Sequence, residues 1–412
     1  MTTPSEPQAA SGLSRRGLFG LVGAAGLAVG IGGGVLGTLA ATRSGSAAAS
    51  AATHEFFGAH QAGITTPVQD HLHFAAFDMA KDATRDDLIE LLHDWSYAAS
   101  RMTQGLDTSA KGAVGGSPEA PPDDTGEALG LPASSLTITF GFGPGLFDDR
   151  FGLADHLPAG LEALPPFLGD DLDPGKSNGD LCIQACADDP QVAVHAIRNL
   201  TRIAFGRAVL RWSQLGFGRT SRTSAEQQTP RNLFGFKDGT ANILADDDSA
   251  LTDHVWSDDG WLAGGSFLVA RRIAMRIETW DRVRLSEQER IFGRSKGEGA
   301  PLSGGDEFTD PVFSGSEIAA DSHVRLAHAK QNGGVRILRR GYNYVDGNDE
   351  LGQLSAGLFF LSYQRDPQHF ITLQKSLSTD AMNEYIRHTG SGIWAIPPGA
   401  KSGSFVGAGL FE

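Results

Sequence analysis

With 412 residues, 40% of them hydrophobic and 20% charged, the chain has the length and composition of a globular protein of two domains or one large one. Its formal net charge of -15 excludes a nucleic-acid surface, which needs clustered Lys and Arg against phosphate, and gives little attraction to anionic membranes. The cysteines, Cys182 and Cys186, lie in the alternating run Asp180-Leu181-Cys182-Ile183-Gln184-Ala185-Cys186. Residues four apart on a strand are roughly 13 Å apart, beyond disulfide reach, so both are read as buried structural thiols.

In chain order, Ser14-Arg15-Arg16 precedes an apolar run rich in Gly and Ala from Gly17 to Ala41, and small residues follow from Ser46 to Ala52. A charged start, an apolar middle and a small-residue exit predict a twin-arginine export leader over residues 1–52. The run is long enough to span a bilayer, but its glycine and alanine favour export and cleavage, leaving no stable membrane anchor. The mature protein is thus expected to be periplasmic or extracellular, with the twin-arginine machinery as a partner.

Beyond the leader, Leu72–Met79 predicts a strand, and Thr84 with Asp87 three residues on forms a capping box opening a helix. That helix carries the apolar stripe Leu88, Leu91, Leu92, Trp95, Ala99 and Met102. A loop over residues 104–129, strands over Leu136–Phe142 and Leu181–Ala187, and a helix from Pro190 to about Phe205 complete the first half. The second half predicts two strand-like runs within Trp261–Glu278, a helix over Trp280–Gly293 and strands over Val335–Tyr344 and Leu358–Tyr363. A last helix is predicted over Leu373–His388. The pattern is α+β, with helices packed on antiparallel sheet and two similar halves, residues 53–225 and 226–412.

The segments with chemistry lie in the second half. Gly235-Phe236-Lys237-Asp238-Gly239-Thr240-Ala241-Asn242 presents one carboxylate on a glycine-rich turn, where backbone can approach a flat ligand. Asp321-Ser322-His323-Val324-Arg325-Leu326 follows, then Val335-Arg336-Ile337-Leu338-Arg339-Arg340-Gly341-Tyr342-Asn343-Tyr344. On a strand, Leu338, Arg340, Tyr342 and Tyr344 share one face and Arg339 takes the other; periodicity alone does not say which face meets a ligand. His71 and His73 also share a strand face and read as a surface pair, with no further metal ligands nearby in the sequence.

Together these segments resemble the dye-decolourising (DyP-type) haem peroxidase family: Gly-x-x-Asp-Gly, then His-x-Arg-Leu, then Arg-Arg-Gly-Tyr-x-Tyr, in that order. Phe57-Gly58-Ala59-His60-Gln61-Ala62-Gly63-Ile64, Leu136-Thr137-Ile138-Thr139-Phe140-Gly141-Phe142-Gly143 and Gly357-Leu358-Phe359-Phe360-Leu361-Ser362-Tyr363-Gln364 extend the likeness over most of the mature chain. With its leader, the chain is similar to the exported branch that includes the bacterial deferrochelatase/peroxidase of iron uptake.

The resemblance implies two ferredoxin-like halves, with haem b held non-covalently in the C-terminal one. It implies His323 as proximal iron ligand and Asp238 and Arg340 as distal catalytic groups. Gly239, Thr240, Ala241 and Asn242 are expected beside the cofactor. His328, Ala329 and Lys330 stand where the family often has Asn-Pro-Arg, so Lys330 takes the place of the arginine that meets a propionate; His328 is a rival ligand behind His323. Glu384 and Asp380 are candidates for the acid behind the proximal histidine, and Tyr342, Tyr344, Tyr385 and Trp394 for electron transfer. The implied activity is reduction of hydrogen peroxide with one-electron oxidation of dyes or other organic donors. The alternative is release of iron from haem with the porphyrin intact. A homo-oligomer and an iron-uptake permease are further partners it allows.

Overall fold

The computed structural model describes residues 52–412; the leader, apart from Ala52, lies outside the described residues. Local chemistry sets the first elements. After β1 (His71–Met79), the Asp87 N–H donates to the Thr84 hydroxyl and the Thr84 N–H to the Asp87 carboxylate, the reciprocal cap that starts α1 (Arg85–Met102). Strands β2 (Thr137–Phe142) and β3 (Leu181–Ala187) follow, and Asp189 caps α2 (Pro190–Ile203), with proline at the first position where no N–H is needed. A strand absent from the sequence reading, β4 (Ala208–Arg219), completes the half. Its alternation is obscured because Val209, Leu215 and Phe217 point outward and stay exposed.

The second half runs through α3 (Asp248–His254), β5 (Ser266–Met275), α4 (Ile277–Trp280), α5 (Leu285–Phe292) and α6 (His323–Leu326). It continues with β6 (Leu338–Arg339), β7 (Tyr342–Asn348), β8 (Leu354–Gln364), α7 (Pro367–Ser376) and β9 (Ile386–Ile396). Several expectations are corrected here. Trp261–Glu278 holds one strand, not two, and the helix expected over Trp280–Gly293 is reduced to α5, which ends at Gly293 in a left-handed cap, φ 80°. The last helix stops at Ser376, and the chain turns into β9, whose residues are largely buried on both faces and so show no alternation.

Strand pairing gives the order β4-β1-β3-β2 in the first half and β9-β5-β8-β7 in the second, all antiparallel. Each half is therefore a ferredoxin-like βαββαβ unit, as expected. Bonds between β2 and β9 and between β4 and β7 join the halves into a sheet closed on itself. Its inner face carries Leu72, Phe74, Cys182, Cys186, Leu338, Tyr342, Phe359, Leu361, Tyr363 and Trp394. Phe74 meets Phe359 and Trp394 from the other half at ring distances of 5.3 and 5.4 Å. Both cysteines are free and buried there, as predicted. The outer face of the first half packs on α1 and α2 through Ala75, Phe77, Leu91, Trp95, Ile197 and Leu200. No described helix is long and apolar enough to cross a membrane.

One buried group on β9 makes the fold acid-sensitive. Burial and the Arg271 cation push the pKa of His388 down to about 4. Between that value and the ordinary one near 6.5, the unfolded chain takes up a proton that the folded chain refuses. Stability is therefore undiminished above about pH 6.5 and falls as the pH drops towards about 4, by up to about 3 kcal/mol for the full shift. The thermal midpoint should decline through this window, and His388→Gln should flatten the decline; an equally steep decline in the variant would refute the assignment.

Candidate active site

The loop before α3 is built to hold one carboxylate still. Asn232 and Phe236 pair across its turn at 3.0 Å, the Asp238 N–H donates to Pro230 O at 2.9 Å, and Asn232 Nδ2 donates to Asp238 Oδ2 at 3.3 Å. Gly239 has φ 91°, and a Cβ there would lie 2.9 Å from Ser221 Cα, so only glycine fits. Opposite the loop, at the end of β6, Arg339 Nη1 donates to Asp238 Oδ1 at 2.8 Å. Their side chains are 26% and 17% exposed, open enough to meet a small molecule.

Asn242 fixes this pair from behind. Its Nδ2 donates to Arg339 O at 2.9 Å and Arg222 O at 2.8 Å, and its Oδ1 accepts from the Arg339 N–H at 2.7 Å. The amide thus acts as a strand partner for Arg339's backbone, on the same loop as Asp238. The expectation that it lines the distal pocket beside the cofactor is corrected: its amide is used on backbone, and it sets where the guanidinium lies. Asn242→Ala leaves Arg339's N–H and C=O unpaired, and turnover should drop about tenfold or more while the folded fraction changes little. Turnover equal to wild type would show that Arg339 needs no such support.

His323 opens α6, and its Nδ1 lies 2.6 Å from Asp380 Oδ2. Asp380 is itself fixed: it caps the turn after α7, its Oδ1 accepts the Met382 N–H at 2.8 Å, and its side chain is 3% exposed. Burial pushes the His323 pKa down, but the Asp380 carboxylate more than offsets it and the net shift is upward. Asp238 and Arg339 lie near enough to act on the His323 charge as well, the carboxylate raising its pKa and the guanidinium lowering it. The His323 side chain is 35% exposed, open to a ligand on the side away from Asp380. Phe292 flanks the ring at 6.3 Å. An imidazole with one nitrogen held by a carboxylate and the other free is the donor set that haem iron takes, so these residues fit haem.

Other expectations are corrected. Arg340 is not among these groups. It is fully buried on the inner face with Tyr342 and Tyr344, and its guanidinium donates to Thr66 O, Pro67 O and Gln69 Oε1. The alternation held the signal: the face shared with Leu338 and the two tyrosines is core, so the arginine for an open pocket had to be Arg339. His328 accepts the Lys330 N–H on Nδ1 and lies 3.3 Å from Asp310 through Nε2, while the Lys330 ammonium pairs with Asp310. Neither is free for a cofactor. The Thr240 hydroxyl donates to Glu307 at 3.2 Å, beside the Lys237–Glu307 ion pair, and Ala241 is exposed. Glu307, from a segment without regular structure, carried no sequence signal. His73 is half-buried, and burial pushes its pKa down to about 4. Of the aromatic candidates, Tyr342, Tyr344 and Trp394 are interior, whereas Tyr385 reaches His323 through Trp280 and Phe292 by ring contacts of 5.1, 5.8 and 6.3 Å.

Residues 61–218 match the family description "Dyp-type peroxidase, N-terminal" and residues 229–401 "Dyp-type peroxidase, C-terminal". The chain is 38% identical over 378 residues to a deferrochelatase of Escherichia coli O157:H7, covering 87% of each. Among solved structures it is similar to DtpA from Streptomyces lividans, seen as an oxyferrous complex, with TM-score 0.81 and 39% identity over 88% of this chain and 98% of that one. A DyP-type peroxidase from Cellulomonas bogoriensis matches with TM-score 0.79 and 36% identity over 88% and 98% of the two chains.

Proposed function

This chain belongs to the Dyp-type peroxidase family and is a haem peroxidase, and from that premise we propose that it works through His323, Asp238 and Arg339. Hydrogen peroxide and organic donors are its substrates. The observation that carries the reading is an acid-backed imidazole with an aspartate–arginine pair close enough to act on its charge.

His323 would hold the haem iron through Nε2, with Asp380 fixing its ring and strengthening it as a ligand. Haem b, held without a covalent bond, would supply the redox centre between peroxide, a two-electron oxidant, and donors that each give up one electron. Asp238 takes a proton from one peroxide oxygen and delivers it to the other, the leaving one. Arg339, cationic at any working pH, stabilises the negative charge that develops as the O–O bond breaks. Asn232 and Asn242 keep both groups in place.

The similarity to deferrochelatases favours a second reading, release of iron from haem with the porphyrin intact. One experiment separates them: the haem-loaded protein is assayed for peroxide-driven dye oxidation and for metal-free protoporphyrin. Dye oxidation without protoporphyrin supports the peroxidase role alone, and protoporphyrin formed without turnover of dye overturns it. The Ser14-Arg15-Arg16 leader supports export, already folded, by the twin-arginine route.

A further inference from the structure

The ties on Asp238 itself are few for a group that must move a proton. Its carboxylate takes a long bond from Asn232 and one from Arg339, and its N–H donates to Pro230 O. Firmer anchors lie on either side of it. The Lys237 ammonium, one residue before, donates to Glu307, and the Thr240 hydroxyl, two residues after, donates to the same carboxylate at 3.2 Å. Glu307 comes from the irregular stretch between α5 and α6. Residues 304–306 and 308–310 are exposed, and between them Glu307 turns inward, its side chain 11% exposed. Its backbone is held as well, because Arg294 Nη1 donates to Glu307 O at 2.8 Å and to Gly299 O at 2.7 Å. Gly299 has φ 76°, and a Cβ there would lie 2.8 Å from Lys237 Cδ, so this stretch packs along the lysine stem. At the start of the turn, Arg231 donates from Nη1 to Lys296 O at 2.6 Å and from Nη2 to Gly297 O at 2.7 Å. Burial pushes the Glu307 pKa up, but bonds from the Lys237 ammonium and threonine hydroxyls more than offset it, and the net shift is downward.

We propose that Glu307 is a positioning residue for the peroxide reaction: by gripping Lys237 and Thr240 it fixes the backbone that carries Asp238. Lys237 bridges Arg231 as a short antiparallel pair, and in such extended backbone consecutive side chains point to opposite sides. With Lys237 held against Glu307 on one side, Asp238 is directed to Arg339 on the other. The grip is a charge-assisted bond in a partly buried setting, stronger than a neutral one. The proposal rests on the peroxidase reading above, in which Asp238 takes a proton from one peroxide oxygen and returns it to the other. Proton transfer needs its groups within hydrogen-bond reach, and a shift of about 1 Å can cost about 10²-fold in rate. Glu307 acts only through Asp238, so its effect vanishes when Asp238 is gone.

The test uses the haem-loaded mature protein, mixed rapidly with hydrogen peroxide and titrated spectrally with cyanide. Hydrogen cyanide also leaves its proton on a nearby base as it binds ferric haem, so it reads the placement of Asp238 without turnover. In Glu307→Ala the peroxide rate constant should fall about tenfold or more and cyanide should bind more weakly by a similar factor, with haem content and the resting Soret band unchanged. Lys237→Met should fall about as far, and the exchanged pair Lys237→Glu/Glu307→Lys should recover most of the loss. In an Asp238→Ala background, Glu307→Ala should cost nothing further, whereas general damage to the fold would add its own loss. A single variant that reacts as the wild type, an exchanged pair no faster than Glu307→Ala, or a further loss in the Asp238→Ala background overturns the proposal. Should Glu307→Ala fail to hold haem, Lys237→Met and the exchanged pair decide by the same criteria. A wild type whose haem spectrum ignores peroxide sinks the peroxidase reading. A responsive wild type with a slow Asp238→Ala and an unaffected Glu307→Ala sinks this proposal alone.

Discussion

Asp238→Ala lowers peroxide turnover by about 10²–10⁴-fold, the usual contribution of a placed acid–base group, and Arg339→Ala by about 10²–10³-fold, that of a fixed charge at a developing anion. Both variants should keep their fold and haem, because the two side chains bond chiefly to each other and line open space. Arg340→Ala should do the opposite. Its guanidinium is buried against Thr66 O, Pro67 O and Gln69 Oε1, and its loss leaves buried acceptors unpaired at about 1–3 kcal/mol each. A lower thermal midpoint, with near-normal turnover per folded haem, is the expected outcome. Steady-state assays normalised to haem, with thermal melts of all three variants, check the contrast. A stable but inactive Arg340→Ala beside an active Arg339→Ala would reverse the assignment.

His323→Ala should abolish retention of haem through purification, since the rival ligand, His328, has both ring nitrogens engaged. Asp380→Ala should weaken retention by about 10–100-fold, the cost of losing the group that orients a metal-bound histidine. The expected sign is clear. Asp380 holds the Nδ1 proton, which keeps Nε2 free, and without it the ring can turn or bond elsewhere. Haem content by absorbance at the Soret band, measured on gel-filtered protein, gives both results. A His323→Ala protein with full haem content would place the ligand elsewhere.

The parts of the fold written in local chemistry were legible in the sequence. The Thr84–Asp87 cap, the proline-opened α2 and the strand carrying both cysteines need only neighbours in the chain. What was missed depends on distant partners. β4 shows outward apolar residues, and β9 has core on both sides, so neither displays alternation. In the site, Asp238 and His323 stood out through short motifs, and their setting did not. Asp380 lies 57 residues from His323 and meets it only because a turn after α7 folds back. The choice between Arg339 and Arg340 was decidable from the buried residues sharing Arg340's face, but only by treating that face as core. Asn242 looked like a pocket residue because it follows the aspartate closely, yet its amide is used on backbone 97 residues away.

On this reading His323 holds the cofactor, and Asp238 with Arg339 carries out the peroxide chemistry. Rapid-mixing absorption spectra of the purified wild type and of Arg339→Ala with one equivalent of hydrogen peroxide decide the matter. Both should start from the same Soret band; the wild-type band should change promptly, and the variant's about a hundredfold more slowly. A band that changes at the same rate in both proteins, or that peroxide leaves unaltered in the wild type, would rule these roles out.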